Sequence, residues 1–164
     1  MIFLTVGSWH RGFDRLVSAV DALKETGEIT DEVIAQIGPG EYEPQYLSSM
    51  DFCSPDDFKR IVNDARLVIG HAGLGTIAVA IRQQKPIIVV PRKPSLGEIS
   101  DDHQFLTAEQ LEAEGKILVA REVEDLPARL REAESFVPVA SSGSQDICRA
   151  VEAFIEEVVA QRCR

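Results

Sequence analysis

A short glycine-containing turn lies in the middle of the sequence, between an apolar run and a segment with helical spacing. It reads His71-Ala72-Gly73-Leu74-Gly75-Thr76. Glycines at 73 and 75 would let the backbone approach a ligand closely and adopt positive φ. The first amides of the following helix are unpaired and lie at its positive end, so they attract phosphate. We therefore interpret the turn, including the Thr76 hydroxyl, as a candidate phosphate site; the alternative is a tight connection without a ligand.

The spacing of the glycines argues against two common nucleotide-binding loops. The turn is neither GxGxxG with a downstream acid nor GxxxxGK[ST]. Dinucleotide and ATPase functions therefore lack their main sequence signal. The three histidines of the chain also lack the i, i+4 spacing of a helical ligand pair, so we expect no metal site.

Other polar residues follow the ends of neighbouring predicted strands. They are Gly7, Ser8 and His10 after the first strand, Arg92 after the fifth, and His103 and Gln104 at the start of the next helix. Ligands of parallel sheets bind beyond the carboxyl ends of the strands, so we expect these groups to meet at one edge. Amides at Gly7-Ser8 would face the same phosphate, or they only end a strand. Arg92 would balance phosphate charge, or pair with a surface acid.

The elements that must position these residues alternate along the chain. Short apolar runs predict strands at 2–6, 33–37, 46–52, 67–69, 86–90 and 117–119. Amphipathic spacing and a Ser54-Pro55 helix start predict helices at 13–24, 54–64, 76–83, 101–115, 123–133 and 145–161. This alternation indicates one domain over residues 1–164, with a parallel sheet covered on both faces. The irregular stretch 93–100 is either a mobile active-site loop or a plain surface connection.

Composition excludes several classes of function. The chain has 164 residues and a formal net charge of −10, which argues against nucleic-acid binding and against electrostatic docking on anionic lipid. It has no apolar run long enough to span a bilayer, so we expect no direct membrane span. Three cysteines without metal-like spacing indicate a reduced, cytoplasmic chain. We expect any contact with the inner membrane face to come through a partner.

Three segments together resemble a known family. They are TVGSWHRGFDRLVSAVD, the HAGLGT turn, and PRKPSLGEISDDHQ in that order. The sequence is similar to the C-terminal domain of family 28 glycosyltransferases. More narrowly, it resembles stand-alone subunits of bacterial exopolysaccharide glycosyltransferases, and the related subunit of the dolichol-linked N-acetylglucosaminyltransferase. The resemblance implies a Rossmann-like three-layer α/β/α fold, equivalent to the C-terminal half of a GT-B enzyme.

The resemblance also implies a role for each candidate residue. The residues expected to hold the donor and its diphosphate are Gly7, Ser8, His71, Ala72, Gly73, Leu74, Gly75, Thr76, Arg92, Glu98 and Gln104. His10 and His103 are the candidate catalytic residues, His103 because it falls near the donor sugar. One position departs from the family pattern: Val79 stands where many members carry an acid that contacts the ribose. Ribose recognition would then come from elsewhere, with Glu98 as the candidate, or be weaker.

The implied function is a UDP-sugar-binding subunit of an inverting hexosyltransferase that acts on a lipid-linked acceptor. The acceptor half is expected on a separate, membrane-associated subunit, and no cofactor is expected beyond the nucleotide-sugar donor. The general base would come from that partner or be His10. One alternative is a non-catalytic subunit that stabilises its partner, and the missing acid at Val79 favours it. Another is a different nucleotide-binding enzyme that uses the same sheet edge.

Overall fold

The computed structural model describes residues 1–8 and 10–139, which form a six-stranded parallel sheet with helices on both faces. The strands are β1 (Ile2–Thr5), β2 (Val33–Gln36), β3 (Ser48–Met50), β4 (Leu67–His71), β5 (Ile87–Val90) and β6 (Leu118–Val119). The helices are α1 (Asp14–Glu25), α2 (Pro55–Asp64), α3 (Leu74–Arg82), α4 (His103–Ala113) and α5 (Leu126–Ala133). The helix predicted at 145–161 lies outside the described residues.

The strand order is β3-β2-β1-β4-β5-β6, and every neighbouring pair is parallel. Chain order therefore reverses between β1 and β4, which are adjacent in the sheet. In open parallel sheets this reversal opens a crevice beyond the carboxyl ends of the two strands, because their connections leave toward opposite faces. The fold thus places the β1 turn beside the β4 turn.

Two apolar clusters form the core, one on each face of the sheet. Side chains alternate along β1, so Ile2 and Leu4 join the cluster under α1 and α5, while Phe3 joins the other. That second cluster lies under α2, α3 and α4. The central strands β1 and β5 are buried along their whole length, as expected for strands covered on both sides. The predicted three-layer arrangement is confirmed.

The β4–α3 connection differs from the prediction in a way that matters for the site. β4 continues to His71, which is in register with Val90 of β5, and α3 already begins at Leu74. The turn therefore consists only of Ala72 and Gly73, and Gly75 lies inside the first helical turn. The extra pairing with β5 extends the strand, which apolarity alone did not indicate.

Candidate functional site

A cleft of about 410 Å³ lies at the carboxyl edge of the sheet, where β1 and β4 are adjacent. It is lined by Gly7, Ser8, Gln36, Cys53, Pro55, Phe58, Lys59, His71, Gly75, Thr76 and Val79. These residues come from the ends of β1, β2 and β4, from the connection before α2, and from the first two turns of α2 and α3. Five of the residues predicted to hold a donor thus share one cleft: Gly7, Ser8, His71, Gly75 and Thr76.

The start of α3 forms one wall of this cleft. A Cβ built on Gly75 meets no atom within 4 Å, so the first turn of the helix is open on that side. Gly73 is the N-cap residue, with φ of −86°, and neither Gly73 nor Gly75 has positive φ. The expected left-handed backbone at these positions is therefore wrong. Open space, rather than unusual dihedral angles, makes the helix amides approachable.

The imidazole of His71 explains two of the glycines. A Cβ on Gly7 would lie 2.5 Å from its Cε1 atom, and a Cβ on Gly73 would lie 2.8 Å from both Cδ2 and Cε1. The ring therefore fills the space beside both backbones. Gly7 also has φ of +79°, a conformation that L side chains rarely adopt. Gly73 thus accommodates His71 rather than a ligand, while Ala72 between them is buried.

His71 is held as a neutral imidazole. Burial lowers its pKa to about 4, and the positive charge of Arg92 acts in the same direction, while the Thr5 backbone opposes them. Its Nδ1 atom is buried and has no hydrogen-bond partner within the described part of the chain. At neutral pH the ring therefore presents one N–H donor and one acceptor nitrogen without charge.

A hydrogen-bonded group from β1 and β2 supports the opposite wall. The Thr5 hydroxyl donates to Gln36 Oε1 at 3.2 Å, and the Gly7 amide donates to Thr5 Oγ1 at 3.2 Å. The Gln36 amide nitrogen donates to the Gly7 carbonyl at 3.4 Å, and the Cys53 thiol contacts Gln36 Oε1 at 3.7 Å. These bonds fix the backbone at Gly7. Burial, with the negative charge of Asp57, raises the pKa of Cys53, so the thiol stays protonated.

The α2 contribution was missed by sequence reasoning. Ser54 caps this helix, with its Oγ accepting from the Asp57 amide at 3.1 Å, so the predicted helix start is confirmed. Phe58 and Lys59 in the next turn reach the cleft, as Gln36 does from β2. The available signal was the capped helix itself: in a parallel sheet a helix that follows a strand begins at the ligand edge.

Arg92 does not face the cleft, contrary to expectation. Its side chain is fully buried, and its guanidinium donates to the carbonyls of Gly12 at 2.7 Å, Val6 at 3.2 Å and Arg11 at 3.3 Å. The guanidinium carbon lies 4.6 Å from the centre of the Phe13 ring. Burial lowers its pKa to about 10, which still leaves it protonated at neutral pH. A direct contact with diphosphate is therefore replaced by contacts with the β1–α1 loop.

Glu98 is also bonded within the protein and lies outside the cleft lining. Its carboxylate receives two bonds from Arg15, at 2.8 and 2.9 Å, and one from the Lys93 amide at 2.8 Å. Burial by itself would raise the pKa of Glu98, but these donors and nearby cations bring it below its usual range. Glu98 therefore does not supply the ribose acid that Val79 lacks. A 3₁₀ turn at Pro94–Leu96 and these bonds fasten the segment, which favours a fixed connection over a mobile loop.

The remaining candidates, including Leu74 at the start of α3, lie outside the cleft lining as well. Gln104 is buried, and its Oε1 accepts from the Arg92 amide at 3.1 Å. His103 begins α4, is half-exposed and pairs with Asp101. His10 is exposed on the loop after β1. The two candidate catalytic histidines are therefore on the surface of the sheet edge, whereas Gln104 holds the backbone of Arg92.

Residues 1–135 match the family model described as the glycosyltransferase family 28 C-terminal domain. The chain belongs to this family. The match covers every described helix and strand of the α/β/α layers.

Relatives of this chain are named as transferase subunits. The chain is 28% identical over 162 residues to the human UDP-N-acetylglucosamine transferase subunit ALG13, covering 87% of this chain and 14% of that protein. It is 31% identical over 126 residues to the mouse protein, covering 70% of this chain and 10% of that one. The chain thus spans less than a sixth of these two relatives.

Solved structures place the fold among glycosyltransferases. An NMR solution structure of ALG13 superposes with a TM-score of 0.62 at 22% identity, covering 91% of this chain and 93% of that one. The crystal structure of MurG from Acinetobacter baumannii gives 0.56 at 20% identity, with 81% of this chain covering 41% of that enzyme. The predicted equivalence to the C-terminal half of a GT-B glycosyltransferase is confirmed.

Two further features bear on partners and ligands of the domain. Within residues 1–8 and 10–139, no helix has the length and apolarity needed to cross a bilayer. Over the same residues, no three His, Cys, Asp or Glu side chains are grouped so that they could hold a metal ion.

Proposed function

We propose that this chain binds the UDP-sugar donor for an inverting hexosyltransferase whose acceptor site lies on a second, membrane-associated subunit. The carrying observation is the pairing of the open first turn of α3 at Gly75 with the backbone at Gly7 and Ser8 across one cleft. The amides at the start of α3 that face this volume suit a diphosphate, because each oxygen needs several donors and the helix end is positive. The Gly7 amide donates to Thr5 Oγ1, so the β1 turn would contribute through Ser8. Lys59, on the α2 wall, adds a positive charge.

In the proposed reaction, an acceptor hydroxyl attacks the anomeric carbon of the sugar while the bond to the UDP oxygen breaks. The proton of the hydroxyl passes to a base, and UDP leaves with the negative charge. The helix amides and cationic side chains stabilise that charge as it develops. The base is assigned to the partner subunit, with His10 and His103 as the candidates within this chain, because both are exposed on the sheet edge.

The names of the relatives support the donor class. Human and mouse ALG13 are named as UDP-N-acetylglucosamine transferase subunits, and this chain matches only a small part of each. By analogy we assign a UDP-linked hexose derivative to the cleft, and a lipid-linked acceptor in polysaccharide or glycolipid synthesis to the partner. This assignment would bring an otherwise cytoplasmic chain to the inner membrane face.

A specific observation favours a second candidate function. No Asp or Glu is among the described residues that line the cleft, although ribose hydroxyls are commonly held by a carboxylate. The side chain at position 79 of this lining is a valine. A domain without that contact would bind donor weakly and serve chiefly to stabilise its partner. Co-expression with the proposed membrane-associated subunit separates the two functions. Transfer that survives Gly75→Asp in an intact complex supports the stabilising role.

Calorimetric titration of the chain with UDP tests the donor proposal directly. We expect Gly75→Asp to weaken binding by roughly tenfold or more, because a carboxylate would occupy the side of the helix that the phosphate approaches. The same acid favours the positive helix end, so folding stability should not fall. UDP affinity then falls without a loss of folding stability, which a folding defect cannot produce.

Ala128→Asp provides the matched control. Ala128 is exposed in the first turn of α5, a helix packed on the other face of the sheet, so the substitution adds the same charge to a comparable position. We expect its UDP affinity to equal that of the unmodified chain. Absence of UDP binding at millimolar concentration, or equal losses in both variants, would contradict a donor site at α3.

A further inference from the structure

The guanidinium of Arg92 is a buried cation that the donor proposal leaves without a direct role. It is the largest fully buried side chain of the described core, and it follows directly after β5. Desolvating a guanidinium is costly unless strong hydrogen bonds replace water. A buried aliphatic side chain would avoid that cost, so the contacts that Arg92 makes indicate what its charge does.

Those contacts converge on the β1–α1 loop, of which residues 6–8 and 10–13 are described. Nη2 donates to the carbonyl of Val6, where the loop begins, and also to that of Arg11. Nη1 donates to the carbonyl of Gly12, where the loop ends, at 2.7 Å. The flat guanidinium therefore joins both ends of a loop that is some 80 residues away in sequence. Phe13 packs under the same group.

The other side of Arg92 is fixed to the body of the domain. Its amide donates to Oε1 of Gln104, a buried residue in the first turn of α4. Arg92 is thus held by α4 and in turn holds the loop that brings Gly7 and Ser8 to the cleft. The fork of donors is specific to arginine, since a lysine ammonium has no comparable planar geometry.

We propose that Arg92 is a positioning residue, which holds the β1–α1 loop so that Gly7 and Ser8 face the diphosphate of the donor. The proposal rests on the proposed donor function. It assigns the effect of Arg92 to phosphate binding through the backbone, without contact between its side chain and the nucleotide.

Arg92→Lys tests the proposal by NMR titration with UDP and, separately, with uridine. We expect UDP affinity to fall about tenfold and uridine affinity to change less than twofold, because only UDP carries the phosphates that the loop faces. A defect that merely reduced the folded fraction would lower both equally. Hydrogen exchange should rise at least tenfold at the described loop amides and remain unchanged in α3.

Arg15→Lys is the matched control. Arg15 lies beside the same Phe13 ring, at 5.2 Å, but it bonds to Glu98 and to the Pro91 carbonyl rather than to the β1–α1 loop. We expect it to leave the ratio of UDP to uridine affinity unchanged. If Arg92→Lys does not fold, Gln104→Met removes only the acceptor for the Arg92 amide and should shift the ratio in the same direction by a few-fold.

Equal loss of UDP and uridine affinity, or unchanged exchange in the loop, would overturn the positioning role. Failure of the donor proposal looks different: the unmodified chain would bind no UDP. In that case exchange alone decides whether Arg92 holds the loop, since that measurement needs no ligand.

Discussion

On the α2 and α3 side of the sheet edge, polar backbone lines an open cleft, whereas beside α1 the charged side chains are bonded to one another. Gly75 has open space where a side chain would be. One strand away, the Arg15 guanidinium donates to Glu98, whose carboxylate also accepts from the Lys93 amide. The Arg92 guanidinium donates to a loop carbonyl, that of Gly12. The open volume for a ligand therefore lies beside Gly75, which has no side chain. The charged side chains beside α1 hold loops of the protein instead of facing that volume.

Alanine substitutions at Gly73 and Gly75 compare a glycine packed against a side chain with one that faces open space. We expect the largest change in the free energy of unfolding here. Gly73→Ala should lower the free energy of unfolding by about 3 kcal/mol, because its Cβ would overlap the His71 ring. Gly75→Ala should raise it by about 0.5–1 kcal/mol, since alanine favours the helix and meets no atom. Urea unfolding measures both. A combined Gly73→Ala and His71→Ala variant should recover part of the loss; purely additive losses would refute the overlap.

The buried imidazole predicts a pH dependence of stability. Its folded pKa of about 4 lies below the value of 6.5 in the unfolded chain, so the unfolded state binds more protons between these limits. Stability is fully present above pH 6.5 and falls by about 2 kcal/mol toward pH 4.5. Urea unfolding across this range, compared with His71→Asn, isolates the effect. Parallel curves for the two proteins would show that His71 is not the group responsible.

Glu98→Gln tests the bonded side of the edge. Losing one charged partner of Arg15 should lower the free energy of unfolding by about 1–2 kcal/mol, because a largely buried cation keeps only a weaker acceptor. UDP affinity should stay within twofold, since Glu98 does not line the cleft. Thermal unfolding measures the change in stability, and calorimetry measures the UDP affinity. Glu109→Gln, in an exposed ion pair on α4, is the control and should change neither. A large affinity loss in Glu98→Gln alone would restore Glu98 as a donor contact.

Val79→Glu should strengthen UDP binding by a few-fold, about 1 kcal/mol, the smallest of these effects. Val79 lines the cleft one turn into α3, so a carboxylate there would accept from ribose hydroxyls. Val79→Gln supplies the same length without charge and should gain less. The test is calorimetry with UDP and with 2′-deoxy-UDP. The gain in affinity from Val79→Glu should be smaller for 2′-deoxy-UDP, which lacks one ribose hydroxyl. An identical gain for both nucleotides would place the ribose elsewhere.

Sequence predicted the sheet and its ligand edge because continuous apolar runs and helical spacing are local signals. It placed Gly7, Ser8, Gly75 and Thr76 correctly at one edge, but assigned the reason for Gly73 wrongly. That reason is the His71 ring, a contact formed only when β4 extends beside β5.

The roles of Arg92 and Glu98 were beyond sequence reasoning for a similar cause. A cation after a ligand-edge strand looks the same whether it faces a phosphate or a loop carbonyl. Its partners Val6 and Gly12 are some 80 positions away, and their carbonyls carry no residue-specific signal. Gln36 and Lys59 were missed because the strand order that brings β2 and α2 to the cleft is a property of the whole sheet.

The imidazole lodged against two bare backbones makes positions 7, 71 and 73 a single steric unit. Anyone redesigning the domain for a bulkier donor would have to vary the three together, since a smaller residue at 71 first makes room for a side chain at 73. In libraries that randomise one position at a time, variants with a side chain at position 73 beside an intact His71 would not fold, so they would not be tested for binding.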